Sequence, residues 1–190
     1  MENIEDRLRL YSLVMYNISG IQSGIQAKHS GIELVLKHYK NNTLEGDFLE
    51  WAENHKTVIL KNGGTSNNGK ESYYGYGARK GSMELHLEAL LENGVDAVAF
   101  YEPDLNYSMS SIDFVVDHRV YRKDRFPDYE SGIKDDVIND IIKNKDFELY
   151  KELRDGGSLS QGFIDWVEEI GGETNLFLRL YVQPIPLSIN

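Results

Sequence analysis

Two amides and an imidazole, Gln22, Gln26 and His29, fall in the stretch ISGIQSGIQAKHSGIELVL, and two carboxylates, Glu102 and Asp104, flank Pro103 after an apolar run. Amides hydrogen-bond in both directions, and a neutral imidazole donates from one nitrogen and accepts at the other, so the first group suits a polar ligand. The carboxylate pair suits acid/base work or a hard cation such as magnesium, and equally a solvated turn. Between them lies a glycine-rich segment, Gly63 to Ser82, in which Lys70, Arg79 and Lys80 supply positive charge and Tyr73, Tyr74 and Tyr76 supply rings on which a base can stack. A segment of this kind within a domain reads as a lid or binding loop, or as a flexible surface excursion. It is no phosphate loop, because Gly69-Lys70 is followed by Glu71 instead of Ser or Thr. His29, His86 and His118 are not at zinc spacing, there is no cysteine to complete a site, and no GxSxG elbow recommends a serine nucleophile.

The elements that must position these residues follow from periodicity. Tyr11 to Asn17 is an apolar, β-prone run, and a helix is predicted from about Gln22 to Lys40, with Ile21, Ile25, Ile32 and Val35 recurring at helical spacing and a stop at Asn41-Asn42. In such a strand–turn–helix unit the helix N-terminus, with its unpaired N–H groups, lies just past the strand's end, where small polar ligands tend to sit. Phe48 to Trp51 reads as a helical turn and Lys56 to Leu60 as a second strand ending in Asn62, Gly63, Gly64 and Thr65. Ser82 is the expected N-cap of a helix from Met83 to Asn93, with Met83, Leu87, Leu90 and Leu91 on one face. Strands are predicted at Asp96 to Tyr101 and Ile112 to Val116. The order of strands and helices makes this an α/β protein with helices covering a sheet. Farther on, helices are expected at Asp135 to Lys143, at Asp146 to Arg154 and from Ser160 through Ile170, the last with Phe163, Trp166, Val167 and Ile170 on one face; Leu176 to Gln183 reads as strand or helix, with helix preferred.

Composition narrows the function classes. The chain of 190 residues is 41% hydrophobic, enough for one good core, and holds no cysteine, so disulfide and thiolate-metal scaffolds are excluded and a reducing compartment is expected. No apolar run approaches the roughly 20 residues needed to span a bilayer, and MENIEDRLR is not followed by a signal-type core, so the expected location is cytoplasmic. A net charge of −11 disfavours long nucleic acid, whose phosphates are gripped by Lys and Arg.

The strand followed by Gly24, Gln26 and His29, the WAENHKTVILKN stretch, the helix after Ser82 and the EPDLN segment together resemble the type 2 peptidyl-tRNA hydrolases over about Leu10 to Asp117. The most specific likenesses are the Gln-x-x-His spacing of Gln26 and His29 and the order of elements. NGGTSN and FYEPDLN look more like small phage-encoded relatives, which would place the protein in a host cytoplasm. The resemblance implies a four-stranded mixed sheet between helices, and usually a dimer. It also implies a lysine near the start of the first helix, seven residues before the histidine, acting with an aspartate and a threonine. That lysine position is Gln22 here, the aspartate falls near Glu102 or Asp104, and the threonine has become Leu105 or Asn106. An amide carries no charge with which to stabilise an oxyanion.

These observations lead to a peptidyl-tRNA hydrolase-like core over residues 1–119 and a helical extension over residues 120–190, packed on the core or on a second subunit. The extension's Trp166 face offers surface for the homodimer or larger oligomer that is expected. The function expected is binding of a small nucleotide-like ligand at Gln22, Gln26, His29, Asn62, Gly63, Gly64, Thr65, Tyr76, Arg79 and Asn106, with no cofactor, metal or catalytic residue. Phage sequestration of a host nucleotide immune signal is one setting for such a module. The alternative is a hydrolase of peptidyl- or aminoacyl-tRNA or of a nucleotide ester, using Glu102 or Asp104 as base. Because Gln22 replaces the charged group, multiple-turnover cleavage of a model peptidyl-tRNA is expected to be absent or very weak; robust cleavage that is lost in Glu102→Gln or Asp104→Asn would overturn the binding reading.

Overall fold

Leu10, Tyr11, Leu13 and Val14 are buried in the first strand of a computed structural model of the chain, which describes residues 7–67, 80–130 and 136–188. This strand, β1 (Arg9–Met15), runs into α1 (Gly20–Asn41), then α2 (Gly46–Glu50) continued by a wider helical turn over Trp51–His55, then β2 (Thr57–Gly64). After α3 (Ser82–Glu92) come β3 (Val98–Glu102), a 3-10 turn over Pro103–Leu105 and β4 (Ser108–Val116). The sheet has four strands in the order β2-β1-β4-β3; β1 and β2 are parallel, and β4 is antiparallel to both its neighbours. The sheet is therefore mixed, and β1, β2 and β3 all end at the same edge, where β4 begins: Met15 pairs with Gly64, Val14 with Ser111, and Glu102 with Ser108.

Helix α1 is held at both ends by its own sequence. Ser19 and Gln22 form a capping box, Gln22 N–H donating to Ser19 Oγ (3.3 Å) and Ser19 N–H to Gln22 Oε1 (3.1 Å), and Asn42 closes the helix in the left-handed region at φ 55°. The apolar stripe of this helix points outward, against the usual pattern. Ile21, Ile25, Ile32 and Val35 are exposed, while Ser23, Gln26, Ala27, Ser30, Leu34 and His38 are buried. The cause is the strand beneath. On β4, Ser111 and Asp113 alternate with Ile112 and Phe114, and the polar pair faces α1, so the helix docks by the side that can satisfy buried hydroxyl and carboxyl groups. This interface includes an apolar cluster of Leu10, Leu34 and Phe48, with Trp51, Ala52, Val98 and Val115 packed around it.

The start of α3 also differs from expectation. Gly81, not Ser82, is the N-cap, and Ser82 Oγ instead accepts from Thr65 N–H (2.8 Å) and donates to Gly63 O (2.9 Å). Strand β4 begins at Ser108, four residues earlier than the apolar run suggested, because the serines before Ile112 are buried in the strand. Leu91, assigned to the packed face of α3, is exposed.

The chain divides into two compact units. One gathers Arg7–Val116 and the stretch beginning at Ile185, where Leu187 bridges to Lys61 on β2 and Ser188 N–H donates to Leu60 O. The other is Asp117–Pro184, containing α4 (His118–Tyr121), α5 (Asp136–Asn144), α6 (Phe147–Asp155), α7 (Gln161–Glu169) and α8 (Glu173–Phe177), which continues as a wider turn over Leu178–Val182. Leu176 to Val182 is thus helical, as preferred. Ser160 caps α7 through Phe163 N–H, and Phe163, Trp166, Val167 and Ile170 are buried within this unit. The Trp166 face is therefore not free surface for a second subunit. Its ring lies beneath the buried Arg179, which donates to Arg119 O (2.5 Å) and Phe126 O (2.6 Å) and pairs with Asp128 (3.2 Å). No helix among the described residues is long and apolar enough to cross a membrane.

Gly63 lets α3 approach β2 closely on the far side of the sheet from α1. A Cβ there would lie 2.2 Å from Met83 Sδ, 3.2 Å from Leu13 Cβ and 3.3 Å from Val14 O. Gly63→Ala is expected to cost about 1–3 kcal/mol in denaturant unfolding. In Gly63→Ala/Met83→Ala the loss should fall short of the sum of the single losses; strict additivity would show that the two do not meet.

Candidate functional site

The common edge at which β1, β2 and β3 end is where the candidate residues collect. Gln26, in the second turn of α1, turns its side chain toward the end of β3: Nε2 donates to Glu102 Oε2 at 2.6 Å, while Oε1 accepts from Ser110 Oγ at 2.7 Å. Its backbone carbonyl accepts from Ser111 Oγ at 2.7 Å. All of Gln26's orientation is thus fixed by β3 and β4, and through it the position of Glu102. His29, one turn on, packs against Phe100 of β3 with ring centroids 4.6 Å apart and brings Nδ1 to 3.8 Å from Glu102 Oε2. That Nδ1 is buried and has no hydrogen-bond partner, and the other side of the ring is open to solvent, with the side chain 38% exposed. Glu102 Oε1 in turn accepts from Asp104 N–H and caps the Pro103–Leu105 turn.

Chemically, this is a carboxylate held rigid by an amide, with an imidazole alongside. It can accept hydrogen bonds from a ligand's hydroxyl or N–H groups, and the imidazole can exchange a proton with a ligand in contact with both. Asp104, the other candidate base, is exposed and its backbone serves the turn. Among the described residues no group of three or more acidic, histidine or cysteine side chains is placed to hold a metal.

The remaining expected ligand residues have defined structural work. Gln22 is exposed and spends its side-chain oxygen on the capping box. Asn62 Oδ1 accepts from Gly64 N–H (2.9 Å), and Gly63 and Gly64 let α3 come close, Gly64 at φ +81° with Ser82 Oγ where a Cβ would be. Thr65 O accepts from Met83 N–H at the start of α3. Asn106 occupies the left-handed region at φ 55° and closes the 3-10 turn onto Pro103 O. Tyr76 and Arg79, with Lys70, Tyr73 and Tyr74, lie outside the described residues. The structure thus brings Gln26, His29 and Glu102 into one cluster, and joins Asn62 through Thr65 to α3 instead.

Sequence reasoning missed a second layer. Ser66 Oγ accepts from Met109 N–H (2.8 Å) and donates to Glu84 Oε1 (2.7 Å), tying the segment after β2 to β4 at the same edge. Burial, with the nearby charge of Glu84, holds the Tyr101 phenol above its ordinary value. Beneath the cluster, Ser30 Oγ donates to Asp113 Oδ1 at 2.7 Å, and the Ser12 hydroxyl on β1 lies beside the same carboxyl, short of well-formed hydrogen-bond geometry. Gly31 keeps this pocket open, since a Cβ there would lie 3.3 Å from Asp113 Oδ2. The available signal was the recurrence of Ser23, Gln26, Ala27 and Ser30 at helical spacing, a small and polar stripe matching Ser111 and Asp113 on the strand.

Comparison of the chain with protein-family models, curated proteins and solved structures returns no match.

Asp113 gives this layer a measurable pH dependence. It is fully buried, and burial pushes its carboxyl up from 3.8 to about 7 against the opposing influence of the Ser30 and Ser12 hydroxyls. A raised folded-state value means that the native protein holds a proton the unfolded chain has lost, so this group's contribution falls as pH rises from about 4 through about 7. Asp113→Asn should therefore gain stability relative to the parent by about 2–3 kcal/mol between about pH 5 and about pH 8 in denaturant titrations. A difference independent of pH would show that Asp113 is not buried as a neutral acid.

Proposed function

We propose that this chain is a binding module for a small nucleotide-like ligand, seated at the edge where β1, β2 and β3 end, with Glu102 as the acceptor for ligand hydroxyl or N–H groups. The observation that carries the reading is the 2.6 Å hydrogen bond from Gln26 Nε2 to Glu102 Oε2, with Gln26 itself locked by Ser110 and Ser111. A preorganised acceptor loses little conformational entropy on binding, and a fixed carboxylate suits the paired hydroxyls of a ribose or the N–H edge of a base. His29 supplies a partly exposed ring beside it, backed by Phe100. The edge is also where open α/β sheets commonly place ligands. A type 2 peptidyl-tRNA hydrolase-like fold remains part of the proposal; its support is the mixed four-stranded sheet and the meeting of Gln26 with the segment that contains Glu102. Sequestration of a nucleotide signal, in a phage setting, is the role that such a module without the family's lysine would serve.

A second reading, hydrolysis of a nucleotide or aminoacyl ester, is favoured by one observation, the approach of His29 Nδ1 to 3.8 Å from Glu102 Oε2. A carboxylate so placed can orient the imidazole as a general base.

Calorimetry against mono-, di- and cyclic nucleotides, including ADP-ribose types, tests both. Binding tighter than about 1 mM to at least one of them is expected, weakened about tenfold or more in Glu102→Gln, since a hydrogen bond to a charged group contributes about 1.5–3 kcal/mol. Recovery of the ligand unchanged supports the binding module. Conversion of the ligand that is lost in His29→Ala supports the hydrolase, and no binding by any member sinks both.

A further inference from the structure

On the flank of α1 away from Glu102, the way the helix docks leaves part of the sheet uncovered. Gln26 and Ser30 hold α1 to β3 and β4, so Val58 on the edge strand β2 is 45% exposed although its register partner on β1, Leu10, is buried. The result is an apolar groove of about 570 Å³, within the range of small-molecule sites. Leu10, Val58 and Leu60 line it from the sheet, Ile32 and Val35 from α1, and Trp51 from the turn before β2. Trp51 is already fixed, because its Nε1 donates to Thr57 O at 3.0 Å. Gly24 and Gly31 also border the groove. Gly31 is accounted for by Asp113, whose Oδ2 would lie 3.3 Å from an added Cβ, whereas at Gly24 no atom of the described chain would lie within 4 Å. Packing within the chain therefore does not require a glycine at position 24. Among all the lining residues Lys28 alone is charged, and it is exposed and without an ion-pair partner among the described residues.

We propose that this groove is a second binding site, for a small amphipathic anion whose apolar chain lies on Val58, Leu60 and Trp51 and whose carboxylate pairs with Lys28. The lining selects the occupant. Nine of its ten residues are apolar or glycine, so an extended peptide or a nucleotide base would give up hydrogen bonds to water and regain few. Ten residues are also too few for a protein partner, since a stable interface takes about 20–30 residues a side. The lysine then sets the sign of the head group. A chain with a net charge of −11 repels anions at long range, so a carboxylate is held only where an unpaired cation adjoins the apolar surface. The lysine stem lies along the ligand's chain while its ammonium stays in water, and the ion pair forms at the mouth of the groove without the desolvation cost of a buried one. This site is separate from the one proposed at Glu102, because β2 and β3 are the two opposite edges of the sheet.

NMR titration of the full chain with straight-chain carboxylates from hexanoate to decanoate, each below its micelle concentration, tests this. The chain has two tryptophans, so the indole N–H signal of Trp51 reports on the groove and that of Trp166, in the other compact unit, is the control. The expected result is a saturable shift of the Trp51 signal alone, with a dissociation constant for decanoate below about 1 mM. Affinity should rise about two- to fourfold per added methylene, as burial of each CH₂ dictates. Decylamine should bind more weakly than decanoate. Lys28→Gln should weaken decanoate about two- to fivefold, the range of an exposed ion pair, and Lys28→Glu more, while neither weakens decanol. Gly24→Leu fills the groove from an open helix position, so it should keep or raise the thermal midpoint and abolish the Trp51 shift. No Trp51 shift with any of these carboxylates up to about 1 mM overturns the proposal. So does decylamine binding as tightly as decanoate, or undiminished decanoate binding in Lys28→Glu or in Gly24→Leu. A Trp51 signal that moves with protein concentration instead of with ligand, alongside a sedimentation mass above 21.8 kDa, assigns the groove to a second copy of the chain and overturns it as well.

Discussion

The seam of hydroxyl, amide and carboxyl groups between α1 and β4 decides how this protein is put together. Ser111 donates to the Gln26 carbonyl and Ser30 to Asp113, each at 2.7 Å, in a layer where most proteins place aliphatic side chains. Such bonds contribute only about 0.5–1.5 kcal/mol each, but leaving any of these groups buried without a partner costs more than that. The seam therefore acts less as a source of stability than as a constraint on orientation. A rotation of α1 that buried Ile25 and Ile32 would strand the hydroxyls of β4 and the Asp113 carboxyl.

Two consequences follow from this one orientation. Gln26 is carried to the end of β3, where its side chain bridges Ser110 and Glu102 and fixes the carboxylate on which the proposed ligand site is built. The apolar residues of the same helix are left facing water at helical spacing. The site and the outward stripe are two faces of one packing decision. The cost is concentrated at Asp113, a buried acid whose second oxygen has no well-formed hydrogen bond. Among the described residues Asp113 forms no ion pair with a cation, and protonation is the response that burial favours.

Much of the fold was legible because local rules agreed with one another. The β1–α1 unit and its stop at Asn42, and the buried face of α7 beginning at Ser160, all follow from turn, cap and period signals that tertiary structure did not override. What was not legible required knowing the opposing surface. Helix α1 carries two stripes, one aliphatic and one small and polar, and periodicity alone favours burying the aliphatic one. The serines before Ile112 lie outside the apolar run that bounded the expected strand, yet in β4 they have ladder partners and Gln26. Within the site, the order of elements placed Gln26, His29 and Glu102 in one neighbourhood. Gln22 and Asn106 also suit ligands by type, but the backbone uses them for a helix cap and a left-handed turn, which sequence alone does not separate from binding.

The most direct test of this account is a carbon-detected NMR titration of the Asp113 side-chain carboxyl in the intact protein. A buried acid in a polar seam with no cation should titrate with a midpoint near the value of about 7 to which burial pushes it. A midpoint in the ordinary carboxylate range, near 4, would mean that water reaches Asp113. In that case α1 does not dock by its polar face, and neither the placement of Gln26 against Glu102 nor the exposed stripe would stand.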